Sequence, residues 1–281
     1  MLFIHHCYLK CRFIICSLVA IAISLIDGVI VMLTLGIIFA VLSFCLATPS
    51  TDVGVRIVNG TTVDISEYPY QVAILYQSSP ICGGVLISAK HVLTALHCWV
   101  LDTNQNISEY SVRAGSNYWD KGGQEIYAES VVYDVPPGQG YLDYDIAIIT
   151  LKFPVNVSNA IPIVMDEADA VHDDGEVATL SGWGLTQLAL DDDDDDPYIL
   201  RAVNVTVIFC GDTGVLRNFI CFAQNGTGPC YGDSGGPAVI NKKLVGLTST
   251  GGGGACGSSM ARAYYTRIST FREWIQEITG V

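Results

Sequence analysis

From Tyr70 onward the chain is a succession of short runs rich in β-branched residues, punctuated by Gly, Pro and Asn. QVAIL, GGVLIS, DIAIITL, RAVNVTVI, KLVGLTST and YYTRI each run for five to eight residues, too short for helices of ordinary length. Such runs predict strands, because branched and aromatic side chains pack well on a pleated surface. A helical period is clear at the C-terminal end, where Phe271, Trp274, Ile275 and Ile278 recur at i, i+3, i+4 and i+7. Thr270 with Glu273 predicts a capping box at its start. Many strands followed by one helix predict an all-β barrel or sandwich.

The N-terminal part has a different character. Two apolar runs, Phe13–Ile26 and Val29–Ala47, are split by Asp27-Gly28. Cys45-Leu46-Ala47 has small residues at its first and third places, as a signal-peptidase site requires, so residues 1–47 are expected to be a leader. The second run, 19 residues long, is also long enough to span a bilayer, which makes a membrane-anchored form the alternative. Met32 opens a stretch that is a complete signal peptide by itself, so 1–31 would then be an upstream extension. His5, His6, Cys7 and Cys11 lie in this leader, without a frame to hold a metal. A polar segment, 48–56, follows and ends at Arg56 immediately before IVNG. It reads as an activation propeptide ahead of a domain covering 57–281.

Ten cysteines imply an oxidising compartment, and with the leader they predict a secreted, extracellular protein. A net charge of −14 argues against nucleic-acid binding, which needs a basic footprint. Nothing in the domain has the spacing of a metal or cofactor site. Asp191–Asp196 is a run of six aspartates whose self-repulsion predicts a solvated loop. A calcium site is disfavoured there, because a uniform run does not space ligands around a turn. Gly251–Gly254 predicts a flexible or closely approached backbone. Five Asn-x-Ser/Thr sequons, at Asn59, Asn106, Asn156, Asn204 and Asn225, are glycan candidates in a secreted chain.

A serine hydroxyl is a poor nucleophile at neutral pH unless a base adjoins it and a third group fixes the base's tautomer. The domain holds three histidines, His91, His97 and His172, and His97 sits in TALHC beside Cys98. Asp145 enters the apolar run DIAIITL, where burial of its charge demands a partner. Ser234 lies among glycines in GDSGGP.

TALHC, DIAII and GDSGGP, in that order and preceded by R-IVNG, resemble the chymotrypsin-like (trypsin-fold) serine proteases. The resemblance covers about Ile57 to the C-terminus. It implies two six-stranded antiparallel β-barrels with a C-terminal α-helix. It also implies a general base and acid at His97, an orienting carboxylate at Asp145 and a nucleophile at Ser234. The N–H groups of Gly232 and Ser234 would form an oxyanion hole, and Ser249-Thr250-Gly251 would pair with substrate as an added strand. It further implies the pairs Cys82–Cys98, Cys210–Cys221 and Cys230–Cys256. Cleavage after Arg56 by an Arg-specific protease would free an ammonium on Ile57 to pair with Asp233. Partners would be protein or peptide substrates, that activating enzyme, and protein inhibitors of such proteases.

In the family the floor of the pocket for the substrate's P1 side chain lies six residues before the nucleophile, here Gly228, which has no carboxylate for Lys or Arg. Gly251 leaves the pocket wall open, and Ala263 stands where the family has a second wall glycine. These positions predict cleavage after uncharged apolar or aromatic residues. The aspartate run would fall on a surface loop near the active-site rim, where its charge would attract basic substrates. Leu96 replaces the usual alanine behind the histidine, and Thr250 replaces the usual tryptophan. Overpacking by Leu96 and the loss of an aromatic wall motivate the alternative of a protease-fold binding protein with impaired catalysis.

Overall fold

The computed structural model describes residues 57–100, 106–184, 199–211, 214–252, 256–257 and 262–281, all within the compact unit Gly54–Val281. The leader, Arg56, the aspartate run and the end of the glycine run lie outside the described residues.

Fourteen strands are described: β1 (Thr61–Thr62), β2 (Gln71–Tyr76), β3 (Ser79–Leu86), β4 (His91–Thr94), β5 (Tyr110–Ala114), β6 (Gln124–Val132), β7 (Ala147–Leu151), β8 (Val164–Met165), β9 (Val177–Gly182), β10 (Arg201–Ile208), β11 (Phe219–Ala223), β12 (Pro237–Ile240), β13 (Lys243–Gly252) and β14 (Arg262–Arg267). Strands β2-β3-β4-β7-β6-β5 close into an antiparallel barrel. A second ring, β10-β11-β14-β13-β12-β9, closes because β9 pairs with both β12 and β10. The fold is therefore the expected pair of six-stranded antiparallel barrels. The two-residue strands β1 and β8 flank β10 and β13, the latter in parallel.

The unbroken apolar runs have a simple cause. In β7, Ile149 and Leu151 point into the first barrel with Val72, Val112 and Ile126, while Ile148 points out. It meets Val85, Leu93, Leu244 and Leu247 in a core shared by the two barrels and the terminal helix. Alternate residues thus serve two different cores, and neither face is left for polar groups. The outer strand β10 alternates instead. Val205 and Val207 join Phe222 and Tyr265 inside the second barrel, while Asn204 is exposed. Two tight hairpins, at Gln77-Ser78 and Asn241-Lys242, have both turn residues at positive φ, the conformation of two-residue turns that match strand twist.

Helix α1 (His97–Val100) is a single turn, and α2 (Ile268–Thr279) is the expected terminal helix. Ile268, Phe271 and Ile275 enter the shared core, but Ile278 is 41% exposed. The predicted capping box is not formed. α2 begins directly after β14, so Arg267 occupies the N-cap in an extended conformation with no side-chain cap bond. Thr270 therefore lies inside the helix and donates its hydroxyl to the Arg217 carbonyl at 3.4 Å. Gly280 ends the helix in the left-handed conformation, φ 75°.

Three disulfides join Cys82 to Cys98, Cys210 to Cys221 and Cys230 to Cys256. All five sequon asparagines are exposed.

Candidate active site

The first barrel supplies a histidine and an aspartate at one end, where Thr94 of β4 pairs with Ala147 of β7. His97 starts α1 after Ala95 and Leu96, which follow β4, and the Cys82–Cys98 disulfide pins that turn to β3. Asp145 follows a 3-10 turn at Tyr141–Tyr144 and precedes β7. Its side chain is fully buried. A buried carboxylate needs partners, and this one has them. Oδ1 accepts the His97 backbone N–H at 2.8 Å, and Oδ2 accepts Nδ1–H of the His97 ring at 2.8 Å. With Nδ1 as donor, Nε2 keeps the free lone pair, which is the tautomer a general base requires. Leu96 is fully buried, and the larger side chain leaves both of these contacts in place.

The second barrel completes the cage around Asp145. Ser249 Oγ donates to Oδ2 at 2.5 Å, and Thr266 Oγ1 donates to the Asp145 backbone carbonyl at 2.8 Å. Ser249, expected on the substrate-binding strand, thus turns its hydroxyl inward to the carboxylate. Thr266 was not anticipated, since no local pattern sets it apart from other strand hydroxyls.

Ser234 sits on a turn fixed from both sides. Its carbonyl accepts the Gly83 N–H at 2.8 Å, and Gly235 N–H donates to Thr248 O at 2.7 Å. Gly83 O in turn accepts the Thr94 hydroxyl at 2.9 Å, which places this turn against the strand that leads to His97. Gly235 has φ 74°, and a Cβ there would collide with Thr94 Oγ1 and Gly83 O, so this glycine is required for the close approach. A further link between barrels is Ser181 Oγ to Gln71 Oε1 at 2.6 Å, both buried.

Asp233 points into a slot of the second barrel. It accepts N–H groups of Gly184 at 2.8 Å and Cys230 at 2.9 Å, and a Cβ on either Gly182 or Gly184 would overlap it. Burial pushes its carboxyl up to about 7, against the opposing pull of those two N–H bonds. Ile57 is buried, and the next residue, Val58, pairs with Gly228, N–H to carbonyl in both directions, at 2.8 and 3.2 Å.

Gly228 itself has φ 137°, and the atoms nearest its vacant Cβ position belong to the uncharged Gln224, Cγ at 3.1 Å. Thr250 and Gly251 are exposed on β13 and pair with Tyr264 and Ala263. Ala263 is fully buried, with its methyl in the barrel core beside Phe222 and Tyr265. The sulfurs of Cys82 and Cys98 approach the His97 ring, but they are bonded to each other and are not metal-binding thiolates.

The Trypsin family model matches residues 57–275. A vitellin-degrading protease of Bombyx mori is 30% identical over 251 residues, covering 85% of this chain and 92% of the relative. Trypsin 5G1 of Aedes aegypti is 32% identical over 238 residues, covering 80% and 86%. Among solved structures, human heparin binding protein superposes with a TM-score of 0.67 at 24% identity, covering 79% of this chain and 96% of that one.

Proposed function

Because this chain belongs to the trypsin family and is a serine-type endopeptidase, we propose that it cuts peptide bonds through an acyl-enzyme formed on Ser234. The observation that carries the assignment of roles is the buried Asp145, both of whose oxygens are committed to His97. As Ser234 Oγ attacks the scissile carbonyl, His97 Nε2 takes its proton. The N–H groups of Gly232 and Ser234 stabilise the oxyanion. The imidazolium then protonates the leaving amine, and a water, deprotonated by the same ring, hydrolyses the ester. Asp145 holds the tautomer throughout and stabilises the imidazolium.

The enzyme is made as a secreted zymogen, with a leader ending at Ala47 and a propeptide ending at Arg56. Two features of the continuous chain support activation at that bond. Ile57, a β-branched residue, has φ 33°, a conformation that costs about 1–3 kcal/mol and is released when the bond before it is cut. Asp233 is a buried carboxylate among glycines, suited to receive the new ammonium of Ile57. An Arg-specific protease performs the cut. The pair would order the Gly232–Ser234 turn.

The mature enzyme cleaves after uncharged apolar or aromatic residues. Gly228 offers no carboxylate, and its nearest neighbour is an amide. Burial of an unpaired guanidinium there would be expensive. Labelling with a fluorophosphonate before and after cleavage at Arg56 tests the chemistry, and peptides with Phe, Leu, Ala or Arg at P1 test the selectivity. Labelling of Ser234 confined to the cleaved form is expected. Equal labelling of the uncleaved form, or a preference for Arg, would refute the respective reading.

A further inference from the structure

A cavity of about 320 Å³ opens where the end of β10, the 3-10 turn Gly214–Asn218 and the β14–α2 junction meet. None of the candidate active-site residues lines it. Its apolar wall includes Leu216 together with Val171 and Phe209, which are 76% and 57% exposed. These two exposed apolar side chains supply the cavity with an apolar wall for a ligand. Two arginines, Arg217 and Arg267, line the same cavity. Among the described residues neither has a carboxylate within ion-pair distance, whereas Arg113 and Lys243 both do.

The two arginines differ in their surroundings. Arg217 is exposed at the rim. Arg267 is half-buried and donates Nε and Nη2 to the Phe219 carbonyl at 3.1 and 2.8 Å, which leaves Nη1 for another acceptor. Burial disfavours its charge, so an anion brought alongside is a gain for the folded state. His172 is only a wall, because Asp166 at 2.8 Å and Glu176 at 3.1 Å already engage its two ring nitrogens. Asp174 reaches the rim as an exposed acid.

We propose that this cavity binds a small monocarboxylate with an unbranched apolar chain, a fatty acid of medium length. Its carboxylate would meet Arg217 and Arg267, whose planar donors suit a carboxylate. Its chain would lie on Val171, Phe209 and Leu216. The volume is at the low end of the usual range for ligand sites, about 300–1,000 Å³, and suits one extended chain better than a folded peptide. The residues next to both arginines hold the segment that carries Asp145. Asn218 donates to Asp143 O at 2.9 Å, and Thr266 donates to Asp145 O at 2.8 Å.

The test is calorimetry on the purified protein with decanoate, below its micelle-forming concentration, and with decanol as the uncharged control. One saturable site for decanoate is expected, with decanol at least tenfold weaker. Arg217→Gln, at an exposed position that leaves the core intact, should weaken decanoate at least tenfold. Asp174→Asn should tighten it several-fold. No saturable binding, equal affinity for decanol, or an Arg217→Gln protein within twofold of the parent would overturn the proposal. Arg267→Gln also loses the bonds to Phe219, so its thermal stability is followed alongside. Decanoate binding by a protein that hydrolyses no peptide would still support the site, so the two readings fail separately.

Discussion

Asp233 carries a stability penalty in the continuous chain, and its size and pH dependence can be worked out. The carboxyl is raised by burial from 3.8 to about 7. Because the folded value is the higher one, the folded chain holds a proton between about pH 4 and 7 that the unfolded chain has released. Stability is therefore greatest below the unfolded value and falls as pH rises through the folded one. Above pH 7 the whole penalty is present, roughly 4 kcal/mol for the gap between 3.8 and about 7. In an Arg56→Gln background, which keeps the chain uncleaved, Asp233→Asn removes that charge. The amide offers one oxygen where the carboxylate served both Gly184 and Cys230 N–H groups, so one donor loses its acceptor, at a cost of about 1–3 kcal/mol. The asparagine protein should thus be more stable at pH 8 by about 1–3 kcal/mol. That advantage should shrink by roughly 3 kcal/mol at pH 5, where the aspartate is already protonated in the folded chain. Urea unfolding followed by tryptophan fluorescence at a series of pH values measures the difference. A constant offset between the two proteins from pH 5 to 8 would refute the reasoning.

Three further outcomes are expected. Ser249→Ala removes the hydroxyl on Asp145 Oδ2, and since a hydrogen bond to a charged group is worth about 1.5–3 kcal/mol, Tm should fall by several degrees and kcat/KM for peptide hydrolysis about tenfold or more. Gly228→Asp should not install efficient cleavage after arginine. Its φ of 137° strains any side chain by about 1–3 kcal/mol, so thermal melting should show a fall of several degrees, with Phe still preferred over Arg in matched peptides. Leu96→Ala, which restores the family's usual residue, should destabilise the protein by about 2–5 kcal/mol in urea titrations, because Leu96 is fully buried.

The barrels were legible in the sequence where both faces of a strand are buried. DIAIITL and QVAIL announce themselves because both faces are apolar. Strands such as β6, which is exposed on one face and carries Gln, Glu and Ser, gave no comparable run. The helix period was equally plain, but its first turn was misplaced. The β14–α2 junction has no loop, and a capping pair inside the helix looks the same in sequence as one at its end.

The sequence by itself determined the strand-forming runs, the terminal helix, and the short motifs carrying His97, Asp145 and Ser234. Each of these is a local matter of side-chain shape, period or neighbouring residues. Tertiary structure alone decided who holds those groups. His97 and Asp145 are 48 residues apart, Ser249 and Asp145 are 104 apart, and Thr266 and Asp145 are 121 apart. No local pattern tells a serine on one barrel that a carboxylate of the other will lie 2.5 Å away. The same holds for the glycines that make room for Asp233 and for the two arginines that share a cavity. Their chemistry depends on burial and on neighbours distant in the chain, and both come into being when the barrels close and pack.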